Sequence, residues 1–478
     1  MNNTIQFVLD GNIVTLTFDE SSRLTPTTTV LNYLRSLPKH RGVKEGCAEG
    51  DCGACTIVIG EADVSGAMSY RAVDSCLLFL PALHGRQLIT VENLKNASGD
   101  LHPVQRAMVD FSGSQCGFCT PGIVMTLFAL YKKEGIPTRT EIAGALAGNL
   151  CRCTGYESII KAAEAVCDGK GADQFTADEA RTLGLLRSIH QGSICVETAA
   201  QRYDLPSTME DCLALIADHP TAVLINGATD VALRVTKKFE LLPHIIDCSR
   251  VGDLRRIRHD QAGLTIGAGV HIADVMEHVT KEYPALYEML KVFAAGQIRN
   301  VATLGGNIGT ASPIGDTLPV LIAYGASIEL TSRRGSRTVP ADAYVTGYRK
   351  TVREPDELIT AVVLPRSSSS SRVRSYKVSK RRDLDISTVS AAFRVELNGK
   401  GIVETIVAAY GGMAECTKRS ASAESFLKGK VWNRQHVEEA RRLVGNDFSP
   451  ISDVRGSAEF RLVAARNLLL KFWNDTKD

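Results

Sequence analysis

Eight of the chain's thirteen cysteines fall into two tight groups, and that spacing limits what this sequence can fold into more than any other feature. Cys47, Cys52 and Cys55, in "CAEGDCGAC", form C-x4-C-x2-C, with Cys76 twenty-one residues on. Cys116 and Cys119 form C-x2-C in "CGFC", and Cys151 and Cys153 form C-x-C. Clustered thiols hold a metal, form disulfides or do redox chemistry, and the compartment helps to choose. The N-terminal "MNNTIQFVLDGNIVTLTF" alternates apolar and polar residues as a half-buried hairpin does, and lacks the basic flank and apolar core of a signal peptide. No apolar run reaches the roughly 18 residues of a membrane span. The expectation is a cytoplasmic protein whose thiols stay reduced, where clustered cysteines mean metal more often than disulfide. Cys167, Cys195, Cys212, Cys248 and Cys416 are scattered and read as ordinary buried or semi-buried thiols, since free cysteine behaves as a small hydrophobe.

The first group has the plant-type ferredoxin spacing for a [2Fe-2S] cluster, in which a loop wraps the metal and the fourth thiolate comes from a distant segment. Gly46, Gly50 and Gly53 sit among the ligands, where backbone must approach sulfide closely or take positive φ. A structural zinc site is the alternative, but zinc ribbons favour two separated C-x2-C knuckles. The flanks read as a sheet with one helix: strands in "TIQFVLD", "NIVTLTF", "TIVIG" and "QLITVEN", and a helix in "TTTVLNYLRSL".

The second group is set among helices. "HPVQRAMVDFS" precedes "CGFC", "TPGIVMTLFALYKKEG" follows it, and "TRTEIAGALAGNLCRCTGYESIIKAAEAV" carries the C-x-C pair. Thr138 and Glu141 form a capping box, and Gly148 is expected to end that helix before the cysteines. A thioredoxin-type redox pair needs a βαβ setting that is absent here. A second [2Fe-2S] cluster is the better reading, at the end of a small helical bundle.

These residues match a known family. "GCAEGDCGACTIVI", "QCGFCTPGIVM" and "GNLCRCTGY" resemble the iron–sulfur part of the molybdenum hydroxylases, which include xanthine dehydrogenases, aldehyde oxidases and carbon monoxide dehydrogenases. The resemblance implies a β-grasp ferredoxin domain binding one cluster through Cys47, Cys52, Cys55 and Cys76. It also implies a helical domain binding another through Cys116, Cys119, Cys151 and Cys153.

Past residue 167 the composition shifts. "DGKGADQFTADEARTLGLLRSIHQGS" is polar with one short helical run and reads as a connector. In "TAVLINGATDVALRV" a strand from Thr221 to Ile225 runs into a small-residue turn, which exposes backbone N–H groups to a diphosphate. The G-x-G-x-x-G of a Rossmann site is missing, and an ordinary strand-to-helix turn is the simpler reading of this stretch alone. A second stretch, "FAAGQIRNVATLGGNIGTASPIGDTLPVLIAYGA", is poor in bulky side chains. Its Thr303, Gly305, Gly306, Thr310 and Ser312 offer donors and close approach, and Asp316 adds an acceptor. It resembles the non-Rossmann FAD-binding domain of the same family. That resemblance implies FAD contacts from Leu224, Ile225, Asn226, Gly227, Ala228, Thr229, Asp230 and Val231, and from Phe293, Thr303, Gly305, Gly306, Asn307, Asp316, Ile359 and Lys377. Phe293 would pack against the isoalloxazine. The serine run Ser367 to Ser371 reads as a solvated linker. Beyond it, "YKVSKRRDLDISTVSAAFRVEL" and "IVETIVAAYGGMA" read as strands and "SAEFRLVAARNLLLKFW" as a final helix. Lys380, Arg381 and Arg382 read as a solvated turn, whose equivalent in the family lies beside the flavin and helps to shape the nicotinamide approach.

The expected architecture is multidomain α+β, in line with a length of 478 residues and roughly 100–200 residues per domain. A ferredoxin-like domain spans 1–90, a helical cluster domain 91–168, a connector 169–196, an FAD-binding domain 197–366 and an α+β C-terminal domain 372–478. A net charge of +2 leaves no footprint for nucleic acid. Clusters pass one electron at a time, NAD takes a hydride, and a flavin can do both, so this cofactor set converts single electrons into pairs. The family resemblance implies a molybdopterin site in a larger partner subunit, in a heterotetramer of two small and two large subunits, and no catalytic residue in this chain. Fusion of the iron–sulfur and flavin parts resembles the xanthine-oxidising members, which implies hypoxanthine and xanthine as substrates, urate as product, and NAD as acceptor. Rival readings are a subunit of another member such as an aldehyde oxidase, a stand-alone NADH-dependent flavin and iron–sulfur reductase, and a colourless zinc-binding interaction protein.

Overall fold

The computed structural model describes residues 3–63, 65–96, 98–169, 171–368 and 370–477. Met1 and Asn2 of the expected hairpin, Lys170 of the expected connector and Ser369 of the serine run lie outside the described residues. Two compact units form: Met1–Cys212 with Thr221–Val251 and Ala295–Ala302, and Leu213–Pro220 with Gly252–Ala294 and Thr303–Asp478.

In the first unit, β1 (Thr4–Leu9) and β2 (Asn12–Thr17) pair antiparallel across Asp10 and Gly11, both at positive φ, the backbone a two-residue hairpin turn requires. The helix α1 (Val30–Ser36) starts at Thr29, whose side chain accepts the Asn32 N–H. With β3 (Thr56–Ala62), β4 (Met68–Asp74) and β5 (Gln87–Ile89), the strands form a five-stranded sheet in the order β2-β1-β5-β3-β4. Strand β4 was not foreseen; it carries the chain to Cys76. Side chains alternate across the sheet. Ile57, Ile59, Val73 and Leu88 enter one core, with Phe7, Leu31 and Leu34, while Val58, Ala72 and Ile89 enter the other. Burial on both faces is why "TIVIG" reads as an unbroken apolar run.

The second of these cores belongs to four helices: α2 (Pro103–Asp110), α3 (Thr120–Tyr131), α4 (Arg139–Leu146) and α5 (Glu157–Val166). The capping box forms as expected, with the Glu141 carboxylate accepting from the Thr138 N–H at 2.7 Å and the Thr138 hydroxyl accepting from the Glu141 N–H at 3.3 Å. Gly148 serves a purpose other than ending a helix. α4 stops at Leu146, and a Cβ on Gly148 would sit 2.1 Å from Gln297 Oε1 and 2.6 Å from Ala295 Cβ. Gly53 is constrained twice: its φ is +65°, and a Cβ would lie 2.3 Å from the Gly148 carbonyl oxygen.

The stretch after Cys167 is a clamp rather than a loose tether. It forms α6 (Gln174–Ala177) and α7 (Glu179–Ser188). Buried Asp173 accepts from His102 Nε2–H at 2.9 Å and from Lys132 Nζ at 2.9 Å, while the His102 Nδ1 accepts the Val104 N–H. Glu179 accepts the Met68 N–H at 2.8 Å, and Leu186 and Ile189 pack with Val8. A four-stranded sheet follows, β6 (Ile194–Glu197), β7 (Arg202–Leu205), β8 (Val223–Ile225) and β9 (His244–Asp247), in the order β6-β7-β9-β8. Its Val196, Tyr203, Leu205, Ile225 and Ile245 join the core of Phe7 and Leu31.

The second unit contains a five-stranded antiparallel sheet ordered Ile257–His259, Gly263–Gly267, Leu358–Pro365, Ser327–Ser332, Gly335–Pro340. A four-stranded sheet begins Ser371–Val378, Val389–Leu397, Val403–Gly411. The final helix, Ala458–Asn474, packs Leu468, Leu469 and Phe472 into its core. Ser367, Ser368 and Ser370 are exposed, and Ser371 already opens the strand.

Two predictions follow from these contacts. Burial raises the Asp173 carboxyl, and the bonds from His102, Lys132 and the Thr176 N–H outweigh it, so the group sits below its ordinary 3.8. A carboxyl depressed in the fold stabilises it fully above the unfolded value, and that contribution disappears as pH falls through the folded value. Asp173→Asn is therefore expected to cost about 3–5 kcal/mol at pH 7 in urea unfolding and to flatten the wild-type loss of stability below about pH 4. Gly53→Ala is expected to cost roughly 2–5 kcal/mol from backbone strain and overlap, whereas Gly144→Ala, inside α4 with open space around it, should be neutral or stabilising by about 0.5–1 kcal/mol in the same assay.

Candidate functional site

The eight clustered thiols come together two by two. Cys55 ends the first loop and Cys76 follows β4. The antiparallel pairing of Thr56 with Asp74 puts their flanking residues side by side, with the sulfurs 3.4 Å apart. The Ser75 hydroxyl donates to the Cys55 carbonyl at 2.7 Å and holds that turn. Cys47 and Cys52 form the other pair in the loop, with their thiols in hydrogen-bond contact. Glu49 and Asp51 N–H groups donate to Cys47 Sγ at 3.4 and 3.2 Å. Such turns need Gly50 and Gly53 at positive φ, while a Cβ on Gly46 would meet Cys52 Sγ at 2.9 Å.

In the second group Cys153 and Cys116 sulfurs lie 3.7 Å apart, and Cys119 and Cys151 are in hydrogen-bond contact. Cys119 caps α3, while Cys151 Sγ is bonded by Thr154 and the Cys151 N–H donates to the Tyr156 hydroxyl at 2.7 Å. The two groups are joined directly. The Leu150 N–H donates to the Cys52 carbonyl at 3.0 Å, and Asn149 Nδ2 donates to the Gly53 carbonyl at 3.0 Å. Asn149 Oδ1 in turn accepts from Thr126 at 2.7 Å and from Gln297 at 2.8 Å.

Protonation is divided within the pairs. The Cys52 thiol and the backbone amides of Glu49, Asp51 and Cys52 pull Cys47 down to about 6, and Cys52 is raised by the bond to Cys47 and by burial. The bond to Cys76, then burial, pushes Cys55 up. Burial and the bond to Cys151 push Cys119 up to about 12; the Phe118 amide, then Cys153, pulls Cys116 down. Whatever protons the thiols hold leave when a metal binds, because the thiolate is the ligand. Two thiolates on one tetrahedral ion, with metal–sulfur bonds near 2.3 Å, lie about 3.8 Å apart. The Cys55–Cys76 and Cys116–Cys153 separations of 3.4 and 3.7 Å are close to that. Among the described residues no three His, Cys, Asp or Glu side chains converge on one point. Two pairs per group fit a cluster of two irons with two thiolates each.

The flavin residues expected from the sequence lie in both units. In the first, Leu224 and Ile225 end β8, the strand beginning at Val223 rather than Thr221. Asn226 to Val231 form the loop before the helix Ala232–Thr236. Gly227 and Ala228 have φ of 87° and 59°, and a Cβ on Gly227 would lie 2.1 Å from the Val301 carbonyl oxygen. The N–H groups of Gly227, Ala228 and Thr229 donate to no group of the described protein. Successive unpartnered amides in a tight turn make an anion-binding concavity, so this loop fits a diphosphate.

The second unit offers something different. Thr303 caps the helix Leu304–Gly309 by accepting the Gly306 N–H, and Leu304 and Gly305 N–H groups go to the Val270 and Ala268 carbonyls. Those glycines therefore provide close approach, with a Cβ on Gly305 falling 2.5 Å from Ala268 Cβ, and no spare backbone donors at the first turn. Asn307 Oδ1 accepts from Thr317, and half-buried Phe293 follows Val292. Lys377 Nζ donates to the Val292 carbonyl at 3.0 Å and pairs with Asp316 at 2.8 Å. Ser387, which no sequence signal marked, donates to Asp316 at 2.5 Å. Ile359 is buried against Gly309. Asn149, Thr126 and Gln297 also escaped sequence reading, although "GNLCRC" places Asn149 two residues before a thiol.

Three family models match: a [2Fe-2S] binding domain over 90–164, an FAD binding domain in molybdopterin dehydrogenase over 198–367, and a CO dehydrogenase flavoprotein C-terminal domain over 374–476. The chain is 35% identical to xanthine dehydrogenase of Drosophila pseudoobscura pseudoobscura and 33% identical to xanthine dehydrogenase/oxidase of Gallus gallus. Those alignments cover 97% and 94% of the chain and 38% of each relative. The chain thus spans little more than a third of the length of these relatives. Among solved structures, carbon monoxide dehydrogenase from Hydrogenophaga pseudoflava matches with TM-score 0.54 and 27% identity, over 56% of this chain and 94% of that one. Quinoline 2-oxidoreductase from Pseudomonas putida 86 matches with TM-score 0.52 and 26% identity, over 57% and 95%. The architecture is multidomain α+β with [2Fe-2S], FAD-binding and C-terminal domains, as in carbon monoxide dehydrogenase. The chain belongs to the molybdenum hydroxylase family, of which it carries the iron–sulfur and FAD-binding region.

Proposed function

We propose that this chain is the electron-transfer subunit of a two-subunit xanthine dehydrogenase, taking electrons from a molybdopterin cofactor in a large partner subunit and delivering them to NAD. Hypoxanthine and xanthine are the substrates of the whole enzyme and urate its product, in purine catabolism in the cytoplasm, with two small and two large subunits per assembly. The observation that carries this reading is the pairing of the eight clustered thiols, two pairs in each of two sequence groups that a backbone hydrogen bond joins, in a chain whose relatives are xanthine dehydrogenases. The matched region makes up 38% of those relatives, so the molybdenum site is assigned outside these residues. Among the described residues no helix is long and apolar enough to cross a membrane.

When bound, the clusters supply single-electron transfer and the flavin exchanges single electrons for the hydride that NAD accepts. The domain division is 1–90, 91–168, 197–366 and 372–478, with 169–196 joining the cluster domains to the flavin part. Cys47, Cys52, Cys55 and Cys76 hold the first cluster in a β-grasp domain, and Cys116, Cys119, Cys151 and Cys153 hold the second in a helical bundle. Exposure supports the order of use. Cys116 and Cys153 are exposed, and Phe118 and Leu150 beside them are 46% and 44% exposed, a surface a partner can cover. Cys55 and Cys76 are buried, as suits an inner station. The link from the Leu150 N–H to the Cys52 carbonyl gives a short bonded route between the groups. FAD is held by Leu224 to Val231, where the amides of Gly227, Ala228 and Thr229 take the diphosphate, and by Phe293, Thr303, Gly305, Gly306, Asn307, Asp316, Ile359 and Lys377. Quinoline 2-oxidoreductase shares the fold at similar similarity, and a different aromatic substrate for the large subunit is the second reading.

The purified chain is expected to be brown-red, with flavin absorbance and about four irons by ligand count. Cys116→Ala should remove one cluster signal in electron paramagnetic resonance and leave FAD bound. A colourless, zinc-containing chain, or loss of both signals with FAD retained, would overturn two independent clusters. Native complex containing molybdenum, whose flavin bleaches with xanthine but not with quinoline, is the expected outcome for substrate; native complex without molybdenum would point to a stand-alone reductase.

A further inference from the structure

One cation from the flavin side of the first unit reaches the first thiol loop. Lys237 follows the helix Ala232–Thr236, six residues beyond the Leu224–Val231 loop. Its ammonium donates to the carbonyl of Cys47 at 3.1 Å and pairs with Glu49 at 3.3 Å. The loop around it is acidic: Glu45, Glu49 and Asp51 flank the thiols, Asp74 lies against Cys55, and Lys44 is the loop's own cation. We propose that Lys237 is a positioning and potential-tuning residue, which holds the Cys47 turn and raises the reduction potential of the cluster bound there. This rests on the assignment of Cys47, Cys52, Cys55 and Cys76 as ligands of one cluster.

The physical reason is charge. Four thiolates on a two-iron, two-sulfide core already carry net negative charge, and reduction adds one electron without forming or breaking a bond. A cation fixed on a ligand's own carbonyl stabilises the reduced state more than the oxidised one, and charge near a cluster is a main determinant of its potential. Glu49 opposes it. The pair is partly exposed, with side chains 44% and 42% accessible, so water and salt attenuate the effect without removing it.

Lys237 is exposed enough to be exchanged without disturbing a core. The full chain, with the partner subunit where it copurifies, is titrated with dithionite and mediators, and each cluster signal is followed by electron paramagnetic resonance. The first-cluster signal is identified as the one that Cys47→Ser removes. Lys237→Gln is expected to shift its one-electron equilibrium about threefold to tenfold toward the oxidised form, up to about 59 mV more negative. Glu49→Gln should shift it the opposite way, Lys237→Arg should retain the wild-type value, and Lys237→Gln with Glu49→Gln should return near it. The second-cluster signal should not move. An unchanged first-cluster potential in Lys237→Gln, or an equal shift of both clusters, overturns the proposal while leaving the cluster assignment intact. Absence of any signal dependent on Cys47 in the wild type overturns the assignment itself, and the proposal with it.

Discussion

Two carbonyl groups of the first cysteine loop, those of Cys52 and Gly53, accept the Leu150 N–H and the Asn149 side chain, and much of the first unit is arranged around that contact. It brings the backbone of a loop entering a sheet against the backbone of a turn between two helices. Side chains would keep them apart: a Cβ on Gly53 would strike the Gly148 carbonyl, and a Cβ on Gly148 would strike Gln297. The same Gln297 completes a buried network with Thr126 and Asn149. Buried amides of this kind persist only when their partners are in place, so the network specifies one arrangement of the two loops rather than merely tolerating it. The short segment around Gln297 also presses Val301 against Gly227 and Ile298 against Gly50. Both thiol loops and the first flavin loop are thereby packed against one turn of helix.

The thiols show how such a scaffold suits metal. Each cysteine is brought to a partner by secondary structure: β-register for Cys55 and Cys76, a glycine-bent loop for Cys47 and Cys52, two helix-connecting turns for the second group. Amides and hydroxyls already point at several sulfurs, as at Cys47 and Cys151, and donors of this kind stabilise thiolate. Metal binding releases the thiol protons and adds its free energy to that of the fold. The Asp173 clamp contributes in the same direction, since it ties the helices beside the second group to the chain leaving them.

Much of this was legible in the residues. The cysteine spacing named the groups, the capping box marked α4, Asp10 and Gly11 marked the hairpin, and apolar periodicity located α2, α3, α5 and the last helix. Other features were not legible because their causes lie far away in sequence. Strand β4 has mixed polarity, and it forms because β3 pairs with it. The clamp after Cys167 looks like a polar linker because the groups that satisfy Asp173 are about 40 and 70 residues earlier. Gly305 and Gly306 suggested spare amide donors, yet the protein's own carbonyls and Thr303 use them.

The sequence by itself determined which residues could hold clusters and which loops could meet a flavin, since thiol spacing and small-residue runs are local properties of the chain. Only the tertiary structure decided how the thiols pair, which group is buried and which exposed, and that Lys237 rests on the Cys47 carbonyl. Those are distances between residues separated by tens to hundreds of positions. They are set by strand register, by backbone contacts that glycine permits, and by packing of one sheet between two cores.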